Sequence, residues 1–123
     1  MTIALWCVLV AGLLPYLATV IAKAGVNFDN HDPRAWLAQQ QGYRRRANAA
    51  SMNAFEALPL FAAAVLIAHL LRGPQPSANL LAIGFIIARA AHLACYLADL
   101  ATLRTIAWFV GLLCVIGLFV VSA

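Results

Sequence analysis

Hydrophobic residues fall into four long runs along the 123-residue chain, and short polar segments separate these runs. A helix needs roughly 20 apolar residues to cross a hydrocarbon core of ~30 Å, and each run is about that long or longer. The pattern therefore predicts four membrane-spanning helices, over residues 2–22, 44–71, 78–98 and 103–121. Because little sequence remains outside them, we expect a single all-α integral membrane domain, built as a four-helix bundle.

One polar segment, between the first and second runs, is long enough to contain structure of its own. Asp32 followed by Pro33 is typical of a helix start, because aspartate bonds the free N–H groups and proline fits the first helical position. We therefore expect a short helix over residues 34–41, with Trp36 at the membrane interface.

The composition agrees with a membrane protein. Hydrophobic residues make up 65% of the chain and charged residues only 10%, whereas a soluble domain has about 25% charged residues. The charges are too few to cover the surface of a soluble protein. The three cysteines all lie in the apolar runs, which argues against a disulfide framework, and no metal-binding cluster is evident.

Basic residues concentrate on one side of the predicted bundle. Four spans place both termini on one side of the membrane and the first and third connections on the other. The positive-inside rule then puts these two connections in the cytoplasm and both termini on the non-cytoplasmic side. The net charge of +4 therefore indicates membrane topology rather than nucleic-acid binding. The other side of the membrane has a single basic residue, Arg72. The two connections and the helix ends beside them have six: Lys23, Arg34, Arg44, Arg45, Arg46 and Arg104.

The second span carries polar side chains along one face. Successive helix residues turn by ~100°, so Arg46, Asn53 and Glu56 share that face. A carboxylate at membrane depth is costly in lipid and marks a functional site by default. We therefore expect this face to turn towards protein or a water-filled cavity.

The third span has a similar stripe, formed by Arg89, His92 and Tyr96 at helical spacing. Glu56 lies ~18 Å and Arg89 ~14 Å from the cytoplasmic ends of their helices. Because an isolated charge at that depth costs more than a paired one, we predict an ion pair between them. The alternative is that this pair only links two helices.

Arg104 begins the fourth span, where the free N–H groups of a helix add positive potential. A cationic neighbour lowers the pKa of a thiol, so Arg104 could hold a bound thiol as its thiolate. It could equally be an interfacial anchor. Together with the two stripes it predicts an arginine-rich cleft that opens to the cytoplasm and suits an anionic, water-soluble ligand.

These residues resemble the MAPEG family, the membrane-associated proteins in eicosanoid and glutathione metabolism. The resemblance covers nearly the whole chain in the number and length of spans. One matching motif is on the second span: Arg46-Ala47, then Asn53-x-x-Glu56-x-x-Pro59-Leu60-Phe61. The other is on the third and fourth spans: Arg89-x-x-His92-x-x-x-Tyr96, followed by Arg104. The two motifs stand in the family's order, and we expect a bacterial-type member located in the inner membrane.

The resemblance implies a homotrimer that binds glutathione as co-substrate between neighbouring subunits, near the cytoplasmic side. It implies that the position of Arg104 is catalytic and stabilises the glutathione thiolate. It also assigns the remaining polar residues of the two stripes to the glutathione site or its support: Arg46, Asn53, Glu56, Arg89, His92 and Tyr96. A lipophilic substrate would enter from the bilayer.

The chain departs from the family pattern in two ways. Many catalytic members have an arginine three residues after the one matching Arg46, and this chain has Ala49 there. The spacing from Tyr96 to Arg104 also differs by about one residue from animal members.

Two hypotheses therefore stay open: a glutathione transferase or peroxidase, and a non-catalytic trimer that binds a lipid or anion in the same cleft. A transporter is disfavoured, because the chain has no inverted repeat.

Overall fold

The structure, a computed structural model, describes the whole chain, residues 1–123, and its regular elements are all helices. In chain order they are α1 (Ile3–Lys23), α2 (Pro33–Ala38), α3 (Gly42–Arg72), α4 (Pro76–Leu97) and α5 (Ala101–Ser122). The four longer helices are long and apolar enough to cross a membrane. Their ends fall within two residues of the predicted spans. The predicted all-α membrane fold of four spanning helices is therefore confirmed.

The short helix α2 begins where the sequence predicts. Asp32 Oδ1 accepts a hydrogen bond from the Ala35 backbone N–H at 3.2 Å, and Pro33 takes the first helical position. The helix ends at Ala38, earlier than expected, because the chain turns and begins α3 at Gly42. Gly42 has a φ of 62°, a left-handed conformation that glycine adopts without strain.

Helix α3 contacts every other helix of the bundle, and α4 also packs against α1 and α5. Thr2 Oγ1 lies 2.6 Å from His69 Nε2, so the start of α1 is beside the end of α3. The Arg72 guanidinium donates to the carbonyl of Ala123, so α5 ends at the same place. Both termini therefore lie at one end of the bundle. The placement of that end outside the cytoplasm stays a prediction.

Most of the residues buried between the helices are small, and alanine is the commonest. In a bilayer, lipid is as apolar as the helices, so helices associate through close van der Waals packing, which small side chains allow. Helices α4 and α5 approach closely at Gly84 and Gly117, where an added Cβ would lie 3.1 Å from Cys114 Sγ and 3.0 Å from Leu81. The buried residues of α1 recur every three or four positions and so lie on one face of the helix. They are Ala4, Cys7, Ala11, Pro15, Ala18 and Ala22.

Two aromatic rings fill the middle of the core. Phe61 of α3 is fully buried and stacks on Phe85 of α4, with ring centroids 3.9 Å apart and an angle of 9° between the planes. At this separation the two rings are in van der Waals contact over their faces. Because Phe85 also lines the larger cavity described below, the stack sets the distance between α3 and α4 at that cavity.

Arginines at both ends of α3 bond the final carbonyl groups of its neighbours. Arg44 Nη1 donates to the carbonyls of Ala22 and Ala24 at the end of α1, at 3.0 and 2.7 Å. Arg72 donates to the carbonyl of Ser122 at the end of α5. These carbonyls lack partners within their own helix and carry its negative dipole end, so a cation stabilises them. Arg44, predicted only to set topology, therefore also joins α3 to α1.

Replacing the central ring should destabilise the bundle. We expect Phe61→Ala to lower the free energy of unfolding by about 3 kcal/mol, because it leaves a cavity against Phe85 that the helices cannot collapse to fill. Unfolding of the purified protein in mild detergent measures this loss. Phe109→Ala is the matched control, since Phe109 is 54% exposed on α5. Equal losses in the two variants would contradict the assignment of Phe61 to the core.

Candidate functional site

The polar stripes of α3 and α4 meet α5 in one open cleft, which consists of two adjoining cavities. The larger cavity, of about 240 Å³, is lined by Asn53, Glu56 and Arg89 together with an apolar wall. The second cavity, of about 230 Å³, is lined by six residues: Asn53, His92, Tyr96, Arg104, Thr105 and Trp108. Asn53 and Trp108 line both cavities, so the two adjoin at these residues. We call them together the α3–α5 cleft.

Arg89 is the most deeply buried charge of the cleft, with 5% of its surface exposed. Its Nη2 donates to Asn53 Oδ1 at 2.8 Å. The predicted ion pair with Glu56 is wrong within this chain, because Asn53, one turn before Glu56, takes the guanidinium instead. A neutral amide satisfies a donor without neutralising its charge. Arg89 therefore keeps its positive charge, and the exposed Glu56 carboxylate is free to meet another group.

Three side chains stack in the second cavity. The Arg104 guanidinium lies over the Tyr96 ring, 4.4 Å from its centroid. The His92 ring meets the same tyrosine edge-on, with centroids 5.4 Å apart and 75° between the planes. A cation over an aromatic face is attracted by the negative charge of that face. The stack therefore fixes the direction in which Arg104 points while leaving its N–H groups available to a ligand.

The motifs that suggested a family from sequence lie on the walls of this cleft, with Asn53 and Glu56 on α3 and Arg89 and His92 on α4. A match to the MAPEG family extends over residues 3–123. The chain belongs to the MAPEG family. Membership indicates a membrane function related to glutathione or eicosanoids. A comparison with curated proteins finds no match.

The cleft of this MAPEG protein contains all but one of the predicted site residues. Asn53, Glu56, Arg89, His92, Tyr96 and Arg104 line its two cavities. Arg46, the exception, is not part of either lining. Its Nη2 donates to the carbonyl of Leu97, at the end of α4, at 3.0 Å. Arg46 is therefore bonded to the end of α4 and does not line the cleft with the other residues of its stripe.

Helix α5 contributes residues to the cleft that the sequence analysis missed. Thr105, Trp108 and Gly111 follow Arg104 by one, four and seven residues and line the cavities with it. The same helical spacing that linked residues on α3 and α4 would have found this face. On α5 this spacing is a weak indication of a site, because threonine, tryptophan and glycine are common in membrane spans.

Ala49, the departure from the family pattern, is half-buried one turn before Asn53 on α3. An arginine there would lie on the neighbouring turn of the helix face that lines the cleft. With alanine in its place, the arginines that line the cleft are Arg89 and Arg104. Within one chain, these two arginines are therefore the cationic side chains that an anionic ligand in the cleft could meet.

The bond between Asn53 and Arg89 should be important for stability. Asn53→Ala leaves a buried guanidinium without its acceptor, so we expect the free energy of unfolding to fall by about 2 kcal/mol. Asn53→Asp keeps an acceptor and should retain most of the stability. Asn48→Ala is the control, because Asn48 is half-buried on the same helix. If unfolding in detergent shows the same stability for the two alanine variants, the bond does not stabilise the fold.

Proposed function

We propose that the protein is a glutathione-dependent membrane transferase or peroxidase that acts on a lipophilic electrophile or hydroperoxide. The observation that carries this proposal is the α3–α5 cleft, in which a polar cavity adjoins a mainly apolar cavity. A reaction between a water-soluble thiol and a lipid-soluble partner needs both environments in contact. Membership of the MAPEG family supports glutathione as the thiol.

The charges of the cleft suit glutathione. At neutral pH this tripeptide has two carboxylates and one ammonium group, and its net charge is negative. Arg89 and Arg104 have no acidic partner within the chain, so they can bind the carboxylates or the thiolate. The exposed Glu56 carboxylate can accept hydrogen bonds from the ammonium group. Asn53, already bonded to Arg89, would orient that arginine towards the ligand.

The size of the cleft favours a ligand that spans both cavities. Pockets for ligands of drug-like size are about 300–1,000 Å³, and neither cavity alone reaches that range. A tripeptide would therefore extend past Asn53 and Trp108, which the cavities share. In that position its thiol can lie between the polar side chains and the apolar wall.

Arg104 is the proposed catalytic residue. Its guanidinium, held over the Tyr96 ring in the first turn of α5, would stabilise the thiolate electrostatically. In the transferase reaction the thiolate sulfur forms a bond to the electrophilic carbon, and the leaving group departs with the electron pair. In the peroxidase reaction two glutathione molecules reduce the hydroperoxide to an alcohol and water, and they become glutathione disulfide.

The lipophilic substrate would approach the thiolate along the apolar wall of the larger cavity. The side chains of that wall come from three helices and make few polar contacts, so they favour apolar substrates of varied shape. The wall consists of Ala57, Leu60, Phe85, Trp108, Gly111, Leu112 and Val115. Because two of these side chains, Leu60 and Trp108, are exposed, the substrate can enter directly from the bilayer.

The open cleft and the unpaired Glu56 favour a homotrimer, in which a neighbouring subunit covers this carboxylate. A carboxylate exposed to lipid costs more than one covered by protein or bound to a cation. We propose a bacterial inner-membrane location, and the distribution of arginines favours placing the α1–α3 and α4–α5 connections in the cytoplasm. Glutathione would then reach the cleft from the cytoplasm.

Ala49 favours a second candidate, a non-catalytic trimer that binds a lipid or another anion in the cleft. Without an arginine at this position, one of the cationic contacts that catalytic relatives use is missing. Such a protein would keep Arg89 and the apolar wall, since both serve binding, and it would not depend on a thiolate at Arg104.

Glutathione should stabilise the protein in detergent. A ligand at 100 times its Kd raises the free energy of unfolding by about 2.7 kcal/mol, so the unfolding temperature should rise as glutathione is added at millimolar concentrations. A peptide of equal charge without the thiol tests the contribution of the sulfur. Unchanged unfolding temperature at millimolar glutathione would favour the second candidate.

Purified protein should conjugate glutathione to a chlorinated nitroaromatic and release chloride. Removing one group that stabilises charge in a transition state costs about 100-fold in rate, so Arg104→Ala should lose about that much in kcat/KM. Arg45→Ala is the matched control, because Arg45 is exposed on the adjacent end of α3. The catalytic proposal fails if wild type and Arg104→Ala both stay at the background rate.

A further inference from the structure

The turn between α4 and α5, formed by residues 98–100, joins the two partners of the arginine stack. Tyr96 lies two residues before this α4–α5 turn and Arg104 four residues after it. Their contact at 4.4 Å therefore depends on the path of only a few residues. A change in the path of the turn would shift the Arg104 backbone relative to the Tyr96 ring, and with it the charge that faces the cleft.

The turn has an unusual conformation for its sequence. The Leu100 N–H bonds the Cys95 carbonyl at 2.9 Å, and the Asp99 N–H bonds the Tyr96 carbonyl at 3.2 Å. This pair of bonds is the Schellman arrangement, which places one residue in the left-handed region, usually glycine. Here Asp99 occupies that position with a φ of 60°. The turn is therefore strained, and contacts from elsewhere in the fold must help to keep it closed.

Arg46 supplies such a contact from α3. Its Nη2 donates at 3.0 Å to the carbonyl of Leu97, the last residue of α4. The Arg46 Nε is buried and has no hydrogen-bond partner, so the guanidinium is held at this carbonyl even though another of its donors is unsatisfied. A cation at the end of a helix also interacts favourably with the helix dipole.

We infer that Arg46 is a positioning residue, which closes the α4–α5 turn and thereby keeps Arg104 stacked on Tyr96. Arg46 does not line either cavity of the cleft, so it acts on a ligand only through Arg104. The effect on a bound thiol rests on the function proposed above. The effect on the turn does not, and the two are measured separately.

Hydrogen exchange tests the effect on the turn without any ligand. In Arg46→Ala we expect the amides of Asp99 and Leu100 to exchange about tenfold faster, because local opening of the turn becomes easier. Arg45→Ala is the matched control, with the same loss of charge at the neighbouring position. Asp99→Gly in the Arg46→Ala background should slow exchange again, since glycine adopts a positive φ without strain. Unchanged exchange in Arg46→Ala would overturn the inference.

Ultraviolet absorbance of the thiolate tests the consequence for bound glutathione. Arg104→Ala and Arg46→Ala should each raise, by about one pH unit, the pH at which half of the bound thiol is ionised. The double variant should show no further rise, because Arg46 acts through Arg104. Arg46→Lys should recover part of the loss, since lysine still has a donor for the Leu97 carbonyl.

The outcomes separate the two proposals. Additive effects in the double variant would show that Arg46 contacts glutathione directly, and the positioning role would be wrong. If wild type binds no thiolate while exchange of the turn is faster in Arg46→Ala, the glutathione function fails and the control of Arg104 by Arg46 stands.

Discussion

The last carbonyl groups of a helix have no partner within that helix, and at a membrane interface water satisfies them only in part. In this protein arginines of α3 bond such carbonyls at the ends of α1, α4 and α5, through Arg44, Arg46 and Arg72 respectively. Because these bonds act at both ends of α3, they fix the positions of the other helices along the α3 axis. The register of the polar stripes, and hence the formation of one cleft, depends on this arrangement.

The cleft obtains its charge from the way in which Arg89 is partnered. A carboxylate partner would have neutralised the guanidinium and left a mainly apolar groove. The amide of Asn53 holds it in place and preserves its charge, and Glu56 stays exposed nearby. Arg104 is also positioned by a neutral group, because it is oriented by the face of Tyr96 and not by an acidic residue. Both arginines are therefore positioned by neutral groups and remain able to bind an anion.

Hydropathy was sufficient to predict the four spans, because a bilayer imposes a nearly fixed length on any apolar helix. The spacing of polar residues also identified which of them share a helix face, and six of the seven predicted site residues line the cleft. Periodicity within a helix does not say which side chain on a neighbouring helix is the partner. For that reason the bond of Arg89 to Asn53 and the bond of Arg46 to Leu97 appeared only in three dimensions.

A structure of the protein in lipid with bound glutathione tests the central claim, that the α3–α5 cleft is a thiol site, most directly. The account predicts a peptide that spans both cavities beside Asn53, with its sulfur within hydrogen-bonding distance of the Arg104 guanidinium and facing the apolar wall. Glutathione bound elsewhere, or bound in the cleft with its sulfur turned away from Arg104, would contradict it.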